Sequence, residues 1–342
     1  MEEYYGVRPQ LLKKAIRRCV RTKQNLLIAS APGTGKTEIV EQVVNEIIAE
    51  NGGGDFVVAH PVCEEPTTYT GLGFPSEDRK SATFLPFGNL LRMIQAKRLL
   101  IVLYDDVGQS SDECQSAIMQ VIRERSINGL KISDHVRFIL CTNRKGDKAA
   151  VRGIIEPLKS RCVIINLAVN ADDWRLWANS MGMPASLVAF SKLRPQLLHD
   201  FKPSTGMENS SNPRGWGEVG ILQNDGLEPE LEFPMYAGCC GEVFATEYTA
   251  FLKIFRSIKD PEKYLKNPNE PLPQDESILY ALTAAISAMA NRQNVNKVYD
   301  FAMRLEGEYS TFLVFSMIQR DKKLSENAGM GPWTEKFANY LL

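Results

Sequence analysis

A short apolar run, Leu26-Leu27-Ile28, passes through Ala29 and Ser30 into Ala31-Pro32-Gly33-Thr34-Gly35-Lys36-Thr37. Ile39, Val40, Val43, Val44, Ile47 and Ile48 then recur at helical spacing. A buried strand, a glycine-rich turn ending Gly-Lys-Thr and an amphipathic helix in that order form a phosphate cradle. Gly33 and Gly35 let backbone N–H groups turn inward, and the helix start adds roughly half an elementary charge. Lys36 then reaches the β- and γ-phosphates of a nucleotide, and the Thr37 hydroxyl reaches Mg²⁺. Pro32 and Thr34 complete the loop. The full pattern has glycine where this chain has Ser30, a small residue that a turn tolerates.

The rest of the first half fits an alternation of strands and helices. Leu99–Tyr104 is an apolar run ending in Asp105-Asp106. Paired acids at a strand end beside such a loop suit metal and water handling, with Asp105 holding Mg²⁺ and Asp106 polarising the attacking water. Aspartate at the second position is one methylene shorter than the usual glutamate, which predicts slow hydrolysis or a tighter site. Further strands are expected at Asp55–His60, Val136–Thr142 and Val163–Leu167. A helix is expected over Ser111–Arg123 and a hairpin turn at Asn128-Gly129. His60 is expected in the core. Asn143, ending its strand, can orient water against a γ-phosphate, although asparagine is also a common turn residue. Pro61–Phe87 contains no clear element, and so long a stretch inside a compact domain is more often functional than idle. Such alternation implies a parallel sheet with helices on both faces.

The chain has 342 residues, enough for two cores. Composition shifts near Asn170, after which helical patterns dominate. Helices are expected from Asn212-Pro213, an N-cap with proline in the first turn, and over Glu242–Ser257, Ser277–Asn291 and Val295–Gly307. Residues 202–211 are expected to form a loop. A net charge of −1 creates no global field for nucleic acid or anionic lipid. The basic face near the start (Lys13, Lys14, Arg17, Arg18, Arg21) is therefore expected to be solvated. Seven scattered cysteines without a Cys-x-x-Cys pair argue against a disulfide framework or zinc site. With no membrane-length apolar run and no leader-like opening, a cytoplasmic protein is expected.

Taken in order, these motifs resemble the AAA+ ATPases, and more narrowly their MoxR branch in its bacterial and phage-encoded members. The residues that carry the likeness are Ala31–Thr37, Tyr104-Asp105-Asp106, Cys141-Thr142-Asn143 and Glu156–Arg161. Pro213–Trp216 and Ala237–Glu242 extend it into the second half. The resemblance implies a P-loop NTPase fold, with a three-layer αβα core and parallel sheet over residues 1–168. An all-α lid with a helical C-terminal extension would occupy residues 169–342. It also implies ATP and Mg²⁺ as ligands, Val7 beside the adenine ring and Asn143 as a sensor. Arg161 becomes a finger reaching a neighbouring subunit's site, with Arg152 as the competing candidate, and Arg214 a lid arginine at the γ-phosphate. The Gly71–Phe87 region would hold the branch's insertion and a pore-facing loop. A homo-oligomeric ring, commonly a hexamer, is implied, with a von Willebrand factor A-domain partner and a protein substrate. The implied activity is an ATP-driven protein-remodelling chaperone. A nucleic-acid motor or replication loader and a slow, nucleotide-gated scaffold are the alternatives.

Overall fold

The computed structural model describes residues 6–144, 146, 152–201 and 206–340. Residues 1–5 and the first part of the expected loop, 202–205, therefore lie outside the described residues. The chain gathers into two compact units, residues 1–169 and 170–342.

The first unit runs β1 (Gly6–Val7), α1 (Pro9–Thr22), β2 (Leu26–Ser30), α2 (Lys36–Glu50), β3 (Asp55–Ala59), α3 (Thr67–Thr70), β4 (Leu72–Pro75) and β5 (Ala82–Leu85). It continues with α4 (Gly88–Gln95), β6 (Leu100–Tyr104), α5 (Asp112–Glu124), β7 (Ser126–Ile127), β8 (Leu130–Lys131), β9 (Val136–Asn143), α6 (Glu156–Lys159) and β10 (Val163–Leu167). Six strands form one parallel sheet in the order β1-β10-β2-β9-β6-β3. Every residue of β6 is buried, as are seven of the eight in β9; strands covered on both faces need such unbroken apolar runs. On one face Leu26, Ile28, Ile101 and Ile139 meet Leu12 and Ile16 of α1 and Val40 and Val43 of α2. On the other, Leu27, Val102, Phe138 and Leu140 meet Leu90 of α4 and Ile118 and Ile122 of α5. The result is a three-layer αβα unit.

Two expectations change here. Pro61–Phe87 is not featureless: Leu72–Pro75 and Ala82–Leu85 pair as an antiparallel hairpin. Its strands lie wholly at the surface, so no inward apolar face announces them. His60 follows β3 in an exposed position rather than in the core. The turn at Asn128-Gly129 has φ +49° and +79°, as a two-residue hairpin between β7 and β8 requires.

The second unit is helical: α7 (Ala171–Ser180), α8 (Ala185–Leu193), α9 (Pro213–Asn224), α10 (Pro229–Cys240), α11 (Glu242–Ser257), α12 (Lys263–Lys266), α13 (Glu276–Met289), α14 (Val295–Ala302), α15 (Gly307–Arg320) and α16 (Met330–Lys336). The expected Val295–Gly307 helix stops at Ala302, and Gly307 instead opens a long buried helix. An aromatic cluster centres on Phe190, with Trp216 stacked at 5.5 Å and Tyr248 at 5.1 Å. A Cβ on Gly215 would lie 2.6 Å from the Cys239 carbonyl oxygen, so only glycine lets α9 and α10 approach this closely. Among the described residues, no helix is long and apolar enough to cross a membrane.

Candidate functional site

β2, β6 and β9 all deliver polar residues to the carboxyl edge of the sheet, where open α/β sheets bind ligands. The register sets Ser30, the last residue of β2, opposite Asn143, the last of β9. The loop after β2 turns through Gly33 (φ +71°) and Gly35 (φ +86°), backbone conformations that side chains disfavour. Ser30, fully buried, makes a 2.5 Å hydrogen bond between its hydroxyl and that of Thr34, whose Oγ1 also reaches the Ala31 carbonyl at 3.0 Å. Serine is therefore not merely tolerated at the loop's first position. It ties the loop to itself.

Helix α2 starts at Lys36 behind Gly35, with no side chain capping it. The first N–H groups of a helix have no intrahelical acceptors, so an uncapped start next to a lysine fits an anion. Lys36 is buried, and its Nζ donates to Asn143 Oδ1 at 2.7 Å and to the Ala31 carbonyl at 3.2 Å. Asn143 Nδ2 donates in turn to Asp106 Oδ1 at 3.2 Å. Lysine, amide and carboxylate thus form one hydrogen-bonded line across the strand ends.

Thr37 Oγ1 donates to Asp105 Oδ2 at 2.8 Å. A hydroxyl and a carboxylate already side by side are the hard oxygen donors that Mg²⁺ takes, so Thr37 and Asp105 fit that ion. Asp105 is buried, its backbone N–H donating to the Ala59 carbonyl at 2.9 Å. The chain turns at Asp106 with φ +52°, a left-handed conformation in which short polar side chains are enriched. Asp106 thereby leaves the strand direction within one residue and meets Asn143. Beneath these groups, burial and the neighbouring Asp105 carboxylate push the Cys141 thiol up.

Other expected site residues stand apart from this line. Val7 pairs with Leu167 at the sheet edge and packs, partly buried, against the α1–α2 core. Arg161 lies beyond α6, with Nη1 donating to the Pro157 carbonyl at 2.5 Å and to Ser160 Oγ at 2.7 Å. Its buried Nε has no hydrogen-bond partner among the described residues. Arg152 is exposed. Arg214 belongs to the second unit, exposed in the first turn of α9 behind the Asn212 cap, whose Oδ1 accepts from Gly215 N–H at 3.0 Å.

One positioning residue was missed. Gln115, fully buried on α5, accepts from Ile155 N–H at 3.0 Å and donates to the Gly153 carbonyl at 3.0 Å. It anchors the segment that leads into α6 and Arg161. Its signal was a lone amide in line with Ile118 and Ile122 on an otherwise apolar helix face.

The first unit has a P-loop NTPase fold, three-layered around a parallel sheet, and a helical region follows it. No protein-family model matches the chain, and no curated protein does. Among solved structures it is similar to a Thermotoga maritima RuvB mutant (14% identity, 86% of this chain and 85% of that one, TM-score 0.42). It is also similar to a DNA replication initiation factor (12% identity, 94% and 97% coverage, TM-score 0.39). A third is NtrX from Brucella abortus in complex with ADP (15% identity, 96% and 68% coverage, TM-score 0.36).

Proposed function

We propose that this chain binds and hydrolyses ATP as a MoxR-type AAA+ ATPase and couples the cycle to remodelling of a protein target. The observation that carries the reading is the line Lys36–Asn143–Asp106 beside the pair Thr37–Asp105. Phosphoryl transfer needs little covalent help from a protein; it needs charge placed where charge develops and a water held in line. Lys36 leaves the Asn143 and Ala31 oxygens for the β- and γ-phosphates. Asn143, relieved of Lys36 but still joined to Asp106, orients the attacking water, and Asp106 accepts that water's proton. Mg²⁺ held by Thr37 and Asp105 would neutralise charge on the phosphate oxygens.

In this reading Val7 lines the adenine site, while Arg214 acts on the γ-phosphate from the lid. Arg161 serves a neighbouring copy in a homo-oligomeric ring, most simply a hexamer. Residues 1–168 are the nucleotide-binding core and 169–342 the lid with its helical extension. A partner with a von Willebrand factor A domain and a protein substrate complete the proposal, set in the cytoplasm. Nucleotide binding followed by single-turnover hydrolysis, with and without DNA, tests it. Steep, salt-sensitive stimulation by DNA would replace the remodelling role with a nucleic-acid motor. A second reading, the slow nucleotide-gated scaffold, is favoured by the short Asp106 carboxylate already committed to Asn143. Tight binding with negligible turnover in every condition would select it.

A further inference from the structure

Charge is segregated along this chain. Between Gly6 and Thr37 there is no acidic residue and there are eight basic ones; between Gly215 and Leu252 there is no Lys, Arg or His and there are seven acidic residues. A chain of net charge −1 does not need either block. Each also presents an exposed helix face.

On α1, Lys13 and Arg17 are used internally, bonded to Gln42, Glu46 and Glu50 of α2. Lys14, Arg18 and Arg21, at i, i+4 and i+7, are exposed and have no ion pair among the described residues. The row begins at Leu11, itself 47% exposed. On α10 the usual amphipathic arrangement is inverted. Its inward face holds Glu232, in an ion pair with Arg256, and buried Tyr236 and Cys240. Its outward face is the apolar stripe Leu231, Pro234, Met235 and Gly238, at i, i+3, i+4 and i+7. Leu231 is 42% exposed and Met235 40%. Glu228 and Glu230 stand at one end of this stripe and Glu242 at the other, all exposed and without an ion pair among the described residues.

We infer that the α1 face of one copy docks on the α10 face of a second copy, head to tail. Leu11 would seat on the Leu231–Met235 stripe, and Lys14, Arg18 and Arg21 would meet Glu228, Glu230 and Glu242. Complementarity pairs them: an apolar stripe with acids at both ends fits a basic face that carries its own exposed leucine, and each face repels its like. Because the two faces differ, each copy can use both at once, and repetition builds a ring or a filament. The inference deepens the ring-forming part of the proposed function and is independent of the chemistry at the phosphate site.

The test is a charge swap read by solution mass in the full-length protein. Lys14→Glu/Arg18→Glu carries two acidic faces, and Glu228→Lys/Glu230→Lys two basic ones. Each alone should lose the assembled species while keeping the wild-type melting temperature. Mixed one to one, the two should recover mixed assemblies, and the quadruple variant should assemble alone. Raising salt from about 0.1 M to about 1 M cuts the screening length from about 10 Å to about 3 Å and should shift the wild type towards monomer. An assembly that survives either reversal overturns this interface and leaves ring formation standing. If the quadruple variant assembles but the mixture does not, the faces do not meet between copies and the inference falls. A wild type that stays monomeric with and without nucleotide overturns both the interface and the ring.

Discussion

Lys36 Nζ, at the start of α2, donates to an amide oxygen at the end of β9, Asn143 Oδ1, at 2.7 Å. In the proposed function the strand-end asparagine is a placeholder for phosphate, fixing the lysine until nucleotide takes it. Asn143→Asp should turn the placeholder into a charged competitor and weaken ATP binding at least tenfold. Asn143→Ala should keep binding within a few-fold and lower turnover about 10²-fold, the scale for losing one preorganised polar group. Calorimetric titration beside single-turnover assays separates the two, and equal loss of binding in both would refute the placeholder role.

Lys36→Ala should abolish nucleotide-dependent stabilisation. Ligand at about a hundred times its dissociation constant adds roughly 2.7 kcal/mol to the folded state, a readily measured rise in melting temperature. A wild-type rise in this variant would place the phosphate cradle elsewhere.

Asp106→Asn should bind ATP normally and hydrolyse almost none, because an amide does not accept a proton from water. Asp106→Glu is the sharper change. Faster turnover would show that the short carboxylate sets the rate, unchanged turnover that another step does, and wild-type hydrolysis in the asparagine variant would remove Asp106 from the chemistry.

Arg161 is held by the end of its own helix, and its proposed role lies in another subunit's site. Arg161→Ala should bind ATP and hydrolyse it about 10³-fold more slowly, the low end for an arginine supplied in trans. Mixing it with Lys36→Ala should restore part of the activity, since some interfaces then join an intact cradle to an intact Arg161. Exchange verified by mass with no recovery would direct attention to Arg152.

Gln115→Leu keeps the volume of the α5 side chain but strips partners from Ile155 N–H and the Gly153 carbonyl. A loss of about 1–3 kcal/mol is expected from orphaned buried groups, read from urea unfolding. Turnover should fall with it while ATP affinity holds, since the loosened segment carries the approach to Arg161.

The strands were legible because a sheet buried on both faces demands unbroken apolar runs, and β6 and β9 are such runs. The loop proposed to hold phosphate was legible because its glycines and lysine answer to backbone sterics and charge, both local. The surface hairpin at Leu72–Leu85 was not, since a ribbon exposed on both faces obeys no inside–outside alternation.

What the sequence determined alone was a set of polar groups, Lys36, Thr37, Asp105, Asp106 and Asn143, each at a strand end or helix start, for which a phosphate role is proposed. Only the tertiary structure decided how they join. Lys36 and Asn143 are 107 positions apart, and nothing in either one's neighbourhood along the chain selects the other. Parallel pairing of β2 with β9 brings Ser30 level with Asn143, and that register, set by the packing of both faces of the sheet, converts separate motifs into one hydrogen-bonded line. The same holds for Ser30, whose bond to Thr34 depends on a loop conformation, and for Gln115, whose partners lie some forty residues away. Composition can place a residue type; only packing can choose its neighbour.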